Sequence, residues 1–118
     1  MSVSADYLAY VIDQLTSFGR VASRRMFGGV GLYSGELFFG LIADDTLFFK
    51  VDDSNRPDYT TRGCKPFQPF PDDPEAYSMS YFEVPADVLE DPDELMLWAR
   101  KAVAAAQAKR SQRGKRRR

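Results

Sequence analysis

The connections between the apolar, aromatic-rich segments of residues 22–51 are too short for anything but an antiparallel sheet. Four segments, residues 22–27, 30–33, 36–43 and 46–51, are separated only by Gly28-Gly29, Ser34-Gly35 and Asp44-Asp45. Tight turns join antiparallel neighbours, whereas a parallel pair needs a crossover of a dozen or more residues. We therefore predict a meander of about four strands, and a further strand at residues 79–84 that stops before Pro85.

Helical patterns flank this sheet on both sides. Ser4 suits the N-cap and Gly19 the end of an amphipathic helix, whose apolar face is formed by Leu8, Val11, Ile12, Leu15 and Phe18. Asp91 suits the N-cap of a second helix, with Pro92 in its first turn and an apolar stripe formed by Leu95, Trp98, Ala99, Ala102, Val103 and Ala106. This second helix is expected to end near Ala108.

One α+β domain follows from these elements. A short helix over residues 54–62 and a proline-rich loop over residues 65–77, with a short strand at its start, complete the pattern. A chain of 118 residues has room for a single core. We predict two layers, an antiparallel meander sheet packed against helices. The domain is assigned to residues 1–108, and residues 109–118 to a basic, disordered tail.

The predicted strands carry aromatic residues on both faces. Strict alternation puts Leu37, Phe39, Leu41 and Ala43 on one face and Phe38, Gly40 and Ile42 on the other. In the next strand, alternation opposes Leu47, Phe49 and Val51 to Phe48 and Lys50. Because helices cover only one face of a two-layer domain, we expect the second face to be an interface with a protein partner or a second copy.

The chain has no histidine, and Cys64 is its only cysteine. This composition excludes Ser-His and Cys-His nucleophile pairs, the usual general base at neutral pH and most zinc sites. Cations at Arg62 and Lys65 would lower the pKa of the thiol, but a small residue at a turn is the simpler interpretation. The acidic pairs, Asp44-Asp45, Asp52-Asp53 and Asp72-Asp73, fall at predicted turns without calcium-loop spacing. We expect no catalytic residue, cofactor or metal ion.

Nothing in the sequence indicates export or insertion into a membrane. No apolar run approaches the ~20 residues that span a bilayer. The first residues lack the basic and apolar regions of a signal peptide. We therefore expect a cytoplasmic protein without membrane contact.

Charge is segregated along the chain. The last ten residues include no acidic residue and seven basic ones, Lys109, Arg110, Arg113, Lys115, Arg116, Arg117 and Arg118. The preceding 108 residues hold nine basic and 17 acidic residues, a net charge of −8. The tail is expected to contact nucleic acid weakly and without sequence preference. The logarithm of the binding constant should then fall with the logarithm of the salt concentration with a slope of about −6. A merely solvated end is the alternative.

Several motifs occur in the order found in a known family. They are Arg25-Met26-Phe27-Gly28-Gly29, Gly31-Leu32-Tyr33, Leu47-Phe48-Phe49-Lys50-Val51-Asp52, Met79-Ser80-Tyr81-Phe82-Glu83-Val84-Pro85 and Leu89-Glu90-Asp91-Pro92-Asp93-Glu94-Leu95 with Trp98-Ala99. Over about residues 20–105 the chain resembles the N-terminal domain of the TfoX/Sxy family of competence regulators. The resemblance implies a secretion-chaperone-like fold, no cofactor and transcriptional control of competence with a cyclic-AMP-responsive activator. Longer members continue into a second domain where this sequence ends in basic residues.

The positions matched to the family, together with the aromatic strand face, supply a candidate partner surface: Arg24, Arg25, Gly28, Gly29, Phe48, Lys50 and Tyr81. Glycines that bend a hairpin explain Gly28-Gly29 better than a phosphate cradle, because no helix follows them. Our leading hypothesis is a non-enzymatic regulatory or adaptor domain that binds a protein, such as a transcription activator, through its sheet. The alternatives are a nucleic-acid-binding protein that uses the tail, and a small-ligand or enzymatic domain that uses Arg24, Arg25 and Lys50.

Overall fold

A computed structural model describes residues 3–26, 28–68 and 78–116. The elements follow in the order α1 (Ala5–Gln14), β1 (Ala22–Met26), β2 (Gly29–Ser34), β3 (Leu37–Ala43), β4 (Thr46–Lys50), α2 (Arg56–Thr60), β5 (Pro66–Phe67), β6 (Ser78–Glu83), α3 (Ala86–Leu89) and α4 (Pro92–Arg116). A 3-10 turn, Thr16–Phe18, follows α1. The predicted α+β class, with an antiparallel meander packed on helices, is confirmed.

The strands form one antiparallel sheet in the order β1-β2-β3-β4-β6-β5. The first four strands are the predicted meander. The strand β6 then pairs with β4, with Phe82 opposite Phe49, and β5 adds the far edge. The prolines at 69–74 and the pair Asp72-Asp73 lie outside the described residues.

A bulge in β3 overturns the predicted division of its side chains between the two faces. Leu32 pairs with Gly40 and Tyr33 with Phe38, so Phe39 is an extra residue between them. Phe39 and Ile42 are therefore both buried in the core. Leu41 pairs with Phe48 and lies on the opposite face, whereas strict alternation had placed it with Phe39.

The helices and one face of the sheet enclose a single core. Ser4 caps α1, its hydroxyl accepting from the Tyr7 amide at 3.1 Å. Asp91 caps α4, its carboxylate accepting from the Asp93 and Glu94 amides. Both predicted caps are confirmed. Between these helices and the sheet, the core contains Val11, Leu15, Val30, Leu32, Phe39, Ile42, Leu47, Phe49, Tyr59, Phe82, Val88, Leu95, Ala99 and Ala102.

The helix α4 is longer than the sequence predicted. It runs to Arg116 instead of ending near Ala108, so that prediction is wrong. Among the residues of α4 whose burial is described, which end at Ser111, Ala106 is the last buried one, and the helix formers Gln107, Ala108, Lys109 and Arg110 continue the helix beyond it. The division of the chain at residue 108 stays a prediction. Among the described residues, no helix combines the length and apolar composition that a bilayer crossing requires.

Candidate binding surface

The sheet face turned away from the core, called the outer face below, is built from cross-strand pairs. Gly31 pairs with Arg24 on one side and with Leu41 on the other, and Leu41 pairs in turn with Phe48. Pairing therefore carries one row of side chains from β1 to β4. A second pair, Lys50 with Tyr81, joins β4 to β6 on the same face.

Three tilted rings and two cations on the outer face form a continuous row of contacts, called the ladder below. The ring centroids of Tyr33 and Phe38 lie 5.2 Å apart, and those of Phe38 and Tyr81 lie 5.6 Å apart. The Arg24 guanidinium lies 5.5 Å from the Tyr33 centroid, and the Lys50 ammonium lies 4.9 Å from the Tyr81 centroid. Each such contact contributes roughly 0.5–1 kcal/mol, so the ladder fixes its own side chains.

Only some residues of the candidate surface predicted from sequence lie on the outer face with the ladder. Arg24, Lys50 and Tyr81 belong to it, and Phe48 lies on the same face, edge-on to Phe67 with centroids 5.0 Å apart. Arg25 is exposed but follows Arg24 directly in β1, so it projects from the other face. The structure therefore brings together four of the seven predicted residues and separates Arg25 from them.

The two remaining candidates, Gly28 and Gly29, shape the hairpin between β1 and β2. Gly28 has a φ of +78°, a conformation that favours glycine. A Cβ on Gly29 would lie 2.6 Å from the carbonyl oxygen of Ile42. Backbone geometry thus accounts for both glycines, as the hairpin interpretation predicted.

A buried asparagine holds the strand end that carries Lys50. Asn55 is 1% exposed and is the buried polar residue among those described. Its side-chain nitrogen donates to the Lys50 carbonyl at 3.1 Å, and its side-chain oxygen accepts from the Asp52 amide at 2.8 Å. These bonds fix the turn that leaves β4 and, with it, the backbone of Lys50.

The far end of α4 meets the Lys50 end of the ladder. A groove of about 390 Å³ lies between them, with Lys109 and Arg110 on the helix side and Phe38, Lys50 and Tyr81 on the sheet side. Arg110 also donates to the exposed carboxylate of Glu36 at 3.0 Å. Arg113, Lys115 and Arg116 follow within α4, and Arg117 and Arg118 lie outside the described residues. Two cations of the predicted tail therefore border the candidate surface.

The thiol of Cys64 is not activated by its neighbours. Burial raises its pKa, and the nearby Glu83 carboxylate adds to the effect, which outweighs the opposing influence of Arg62. The predicted lowering by cations is therefore wrong, and the interpretation as a small residue near a turn fits better.

The acidic pairs in the described residues act in turns. Asp44 and Asp45 have φ values of +53° and +49° in the β3–β4 turn, and the Asp45 carboxylate accepts from the Ser4 amide at 2.8 Å. The Asp52 carboxylate accepts from the Ser54 amide at 2.9 Å, and Asp53 forms an ion pair with Arg56. Within residues 3–26, 28–68 and 78–116, no group of three or more histidine, cysteine or acidic side chains is arranged to hold a metal ion.

The family follows from a match over most of the chain. The family model of the TfoX N-terminal domain matches residues 13–106, which include every strand and most of α4. The chain belongs to the TfoX N-terminal domain family. Membership suggests a competence-related regulatory or adaptor role, because the family is generally regulatory and not enzymatic.

This TfoX N-terminal domain also resembles a protein of Spirochaeta aurantia described as an uncharacterized 12.7 kDa protein in the trpE 5′ region. The two are 38% identical over 56 residues, which is 48% of this chain and 49% of the relative. The match thus spans about half the length of that curated relative.

Two ladder residues, Tyr33 and Phe38, were missed as candidates from sequence. Tyr33 could have been placed on the outer face from sequence, since it follows the core residue Leu32 directly in β2 and adjacent strand residues face opposite sides. The contact between Phe38 and Tyr81 depends on β6 lying beside β4, and their strands are separated by the 65–77 loop. Local pattern carries no information on that pairing.

Proposed function

We propose that this TfoX N-terminal domain is a non-enzymatic adaptor in competence-related regulation, and that it binds a protein partner through the ladder on its outer face. The observation that carries the proposal is the bracketing of three stacked rings by two cations. Aromatic and arginine side chains are enriched at protein interfaces and at their energetic hot spots.

The ladder favours a partner segment with both carboxylates and apolar side chains. Half-buried rings offer apolar area, while Arg24 at one end and Lys50 at the other offer charge. Because the stacked side chains are already ordered by one another, a partner loses little of its binding energy to ordering them. A transcription activator is the class of partner that family membership makes attractive.

The alternative of a small-ligand or enzymatic site that joins Arg24, Arg25 and Lys50 has weaker support. Three rings separate Arg24 from Lys50, and Arg25 projects from the opposite face of β1. A catalytic or small-ligand site needs its polar groups to converge on one concavity.

The adjacent residues Arg24 and Arg25 supply a matched test. The tagged full-length chain is used to recover proteins from a native extract, in parallel with Arg24→Glu and Arg25→Glu. Both variants reverse one exposed charge in the same edge strand, but only Arg24→Glu alters the ladder. A specific protein should be recovered with the wild type and with Arg25→Glu, and be lost with Arg24→Glu.

Binding of that protein is then measured with both components purified, because a direct interaction must show the same ranking. Equal recovery with Arg24→Glu, or recovery of nucleic acid alone, would contradict the proposal.

A further inference from the structure

The groove between α4 and the sheet concentrates positive charge at one end of a domain whose net charge is otherwise negative. Lys50, Lys109 and Arg110 border it, against the single carboxylate of Glu36. The first 108 residues as a whole carry a net charge of −8, so this positive patch stands on a mostly acidic domain. A polyanion approaching the domain is therefore attracted to this end and repelled elsewhere.

Helical geometry extends the positive patch in a line. Because α4 continues to Arg116, its last cations rise by about 1.5 Å per residue along one rod that leaves the groove, instead of spreading over a random coil. Lys109 and Arg116 are thus separated by roughly 10 Å along the axis. Basic residues carried on a helical backbone, at regular intervals along its axis, suit a polymer with regularly spaced negative groups.

We propose that Lys50 and the basic end of α4 form one composite surface for the phosphate backbone of nucleic acid. Lys50, Lys109 and Arg110 bind phosphates at the groove, and the later cations of α4 follow the strand outward. The contact is to the backbone and carries no base preference. This surface overlaps the protein contact proposed above at Phe38, Tyr81 and Lys50, and it does not include the Arg24 end of the ladder.

The carboxylate of Glu36 competes with phosphate for Arg110 on this surface. Its carboxylate occupies Arg110, yet the two side chains are 83% and 59% exposed, so the ion pair is easily displaced. A phosphate that enters the groove takes over Arg110 and leaves the carboxylate to water. Removing the negative charge of Glu36 should therefore favour the nucleic acid.

The inference differs measurably from binding by a loose tail. A flexible tail binds whether or not its chain is helical, and it takes no help from Lys50. The composite surface needs both the straight helix and the sheet residue. Ser111→Pro tests the helix, because proline in a helix interior breaks it without changing the charge. Ser111→Ala is its matched control.

The experiment measures binding of a fluorescent oligothymidine and of a DNA duplex to the full chain over a series of salt concentrations. Lys50→Met should reduce the magnitude of the log–log salt slope by about 0.9 for duplex and about 0.7 for the single strand. Lys65→Met, which removes an exposed cation of the β5 edge, should leave the slope unchanged. Glu36→Gln should tighten binding about two- to fivefold, because the nucleic acid no longer has to displace one exposed ion pair.

Ser111→Pro should weaken binding, and Ser111→Ala should not. Circular dichroism of each variant checks that the domain remains folded. The proposal is overturned if either Lys50→Met or Ser111→Pro binds as the wild type does, since the composite surface needs both the sheet residue and the helix. It is equally overturned if polyglutamate displaces the oligothymidine as well as unlabelled oligothymidine does, or if neither nucleic acid binds. None of these results would bear on the proposed contact of Arg24 with a protein.

Discussion

Asn55 and Lys50 are joined by a hydrogen bond from a fully buried side chain to the backbone of a half-buried cation. The bond measures 3.1 Å, and the same asparagine accepts from the Asp52 amide at 2.8 Å. The side-chain amide of Asn55 thus satisfies both the Lys50 carbonyl and the Asp52 N–H where β4 ends. Lys50, which belongs to both proposed surfaces, is therefore positioned from inside the domain.

Replacing Asn55 should cost more stability than its size suggests. Asn55→Ala leaves the Lys50 carbonyl and the Asp52 amide without these partners, and we expect a loss of about 2 kcal/mol in the free energy of unfolding. Urea denaturation followed by tryptophan fluorescence measures it. Ser54→Ala, at the exposed neighbouring position, should stay within about 0.5 kcal/mol. Equal values for the two variants would show that the buried bonds contribute little.

Gly29→Ala should destabilise the sheet through overpacking. Its new methyl group would meet the Ile42 carbonyl oxygen at 2.6 Å, and a backbone atom does not move aside as a flexible side chain does. We expect a loss of about 1–3 kcal/mol in thermal or urea unfolding.

Gly35→Asn is the comparison for Gly29→Ala. Gly35 has a φ of +60°, and no atom of the described residues lies within 4 Å of the position that its Cβ would take. Asparagine tolerates that conformation, so the cost should be within about 0.5 kcal/mol. A Gly29→Ala protein as stable as Gly35→Asn would mean that the hairpin moves to accept the methyl group.

The ion pair between Arg62 and Asp87 should make stability depend on acid pH. Arg62 donates to the Asp87 carboxylate at 2.8 Å and thereby lowers the pKa of that carboxyl. A lowered pKa in the folded state means stability that is present above the unfolded value, about 3.9, and is lost as the pH falls through the folded one.

Arg62→Gln should therefore be less stable than the wild type above the ordinary aspartate pKa, with the difference shrinking at lower pH. NMR titration of the Asp87 carboxyl checks the cause directly, because its pKa should return towards the ordinary value. Arg62 also lies 5.3 Å from the centroid of Trp98, so a pH-independent cost should remain. In an Asp87→Asn background, only that constant part should be left.

Cys64 should react slowly with alkylating reagents near neutral pH. Its side chain is half-buried and its pKa is raised by burial, so little thiolate is present and access is limited. Iodoacetamide labelling followed by mass spectrometry should proceed more slowly than for a cysteine peptide, and at the peptide rate in denaturant. Labelling of the folded chain at or above the peptide rate would contradict the assigned environment.

Local pattern predicted most of the fold because the elements are marked at their ends. Turns at Ser34-Gly35 and Asp44-Asp45 delimit the meander, and caps at Ser4 and Asp91 mark the helix starts. The end of α4 could not be predicted, because residues 107–111, the described ones that follow Ala106, are exposed and leave no periodic apolar signal. The short helix α3 has only four residues, too few for periodicity.

The candidate surface was only partly predictable for a different reason. Alternation along one strand separates Phe48 and Lys50 from the core, and that prediction held. Which side chains become neighbours on different strands depends on the strand order. That order brings Tyr81 of β6 next to Lys50 and within reach of Phe38. The basic residues gained their neighbours on the sheet only through the length of α4.

The extra residue at Phe39 divides β3 into two half-strands of opposite phase. Phe38 on one side of it faces the rings of Tyr33 and Tyr81, while Ile42 on the other side faces the core. Strict alternation over four residues would put Phe38 and Ile42 on the same face, so the extra residue is what lets one serve the ring contacts and the other the core. A relative one residue shorter between these positions would reach the same arrangement with a regular strand. The spacing of this segment, compared between family members, therefore reports which of them need a bulge to build both faces and which can do so with a regular strand.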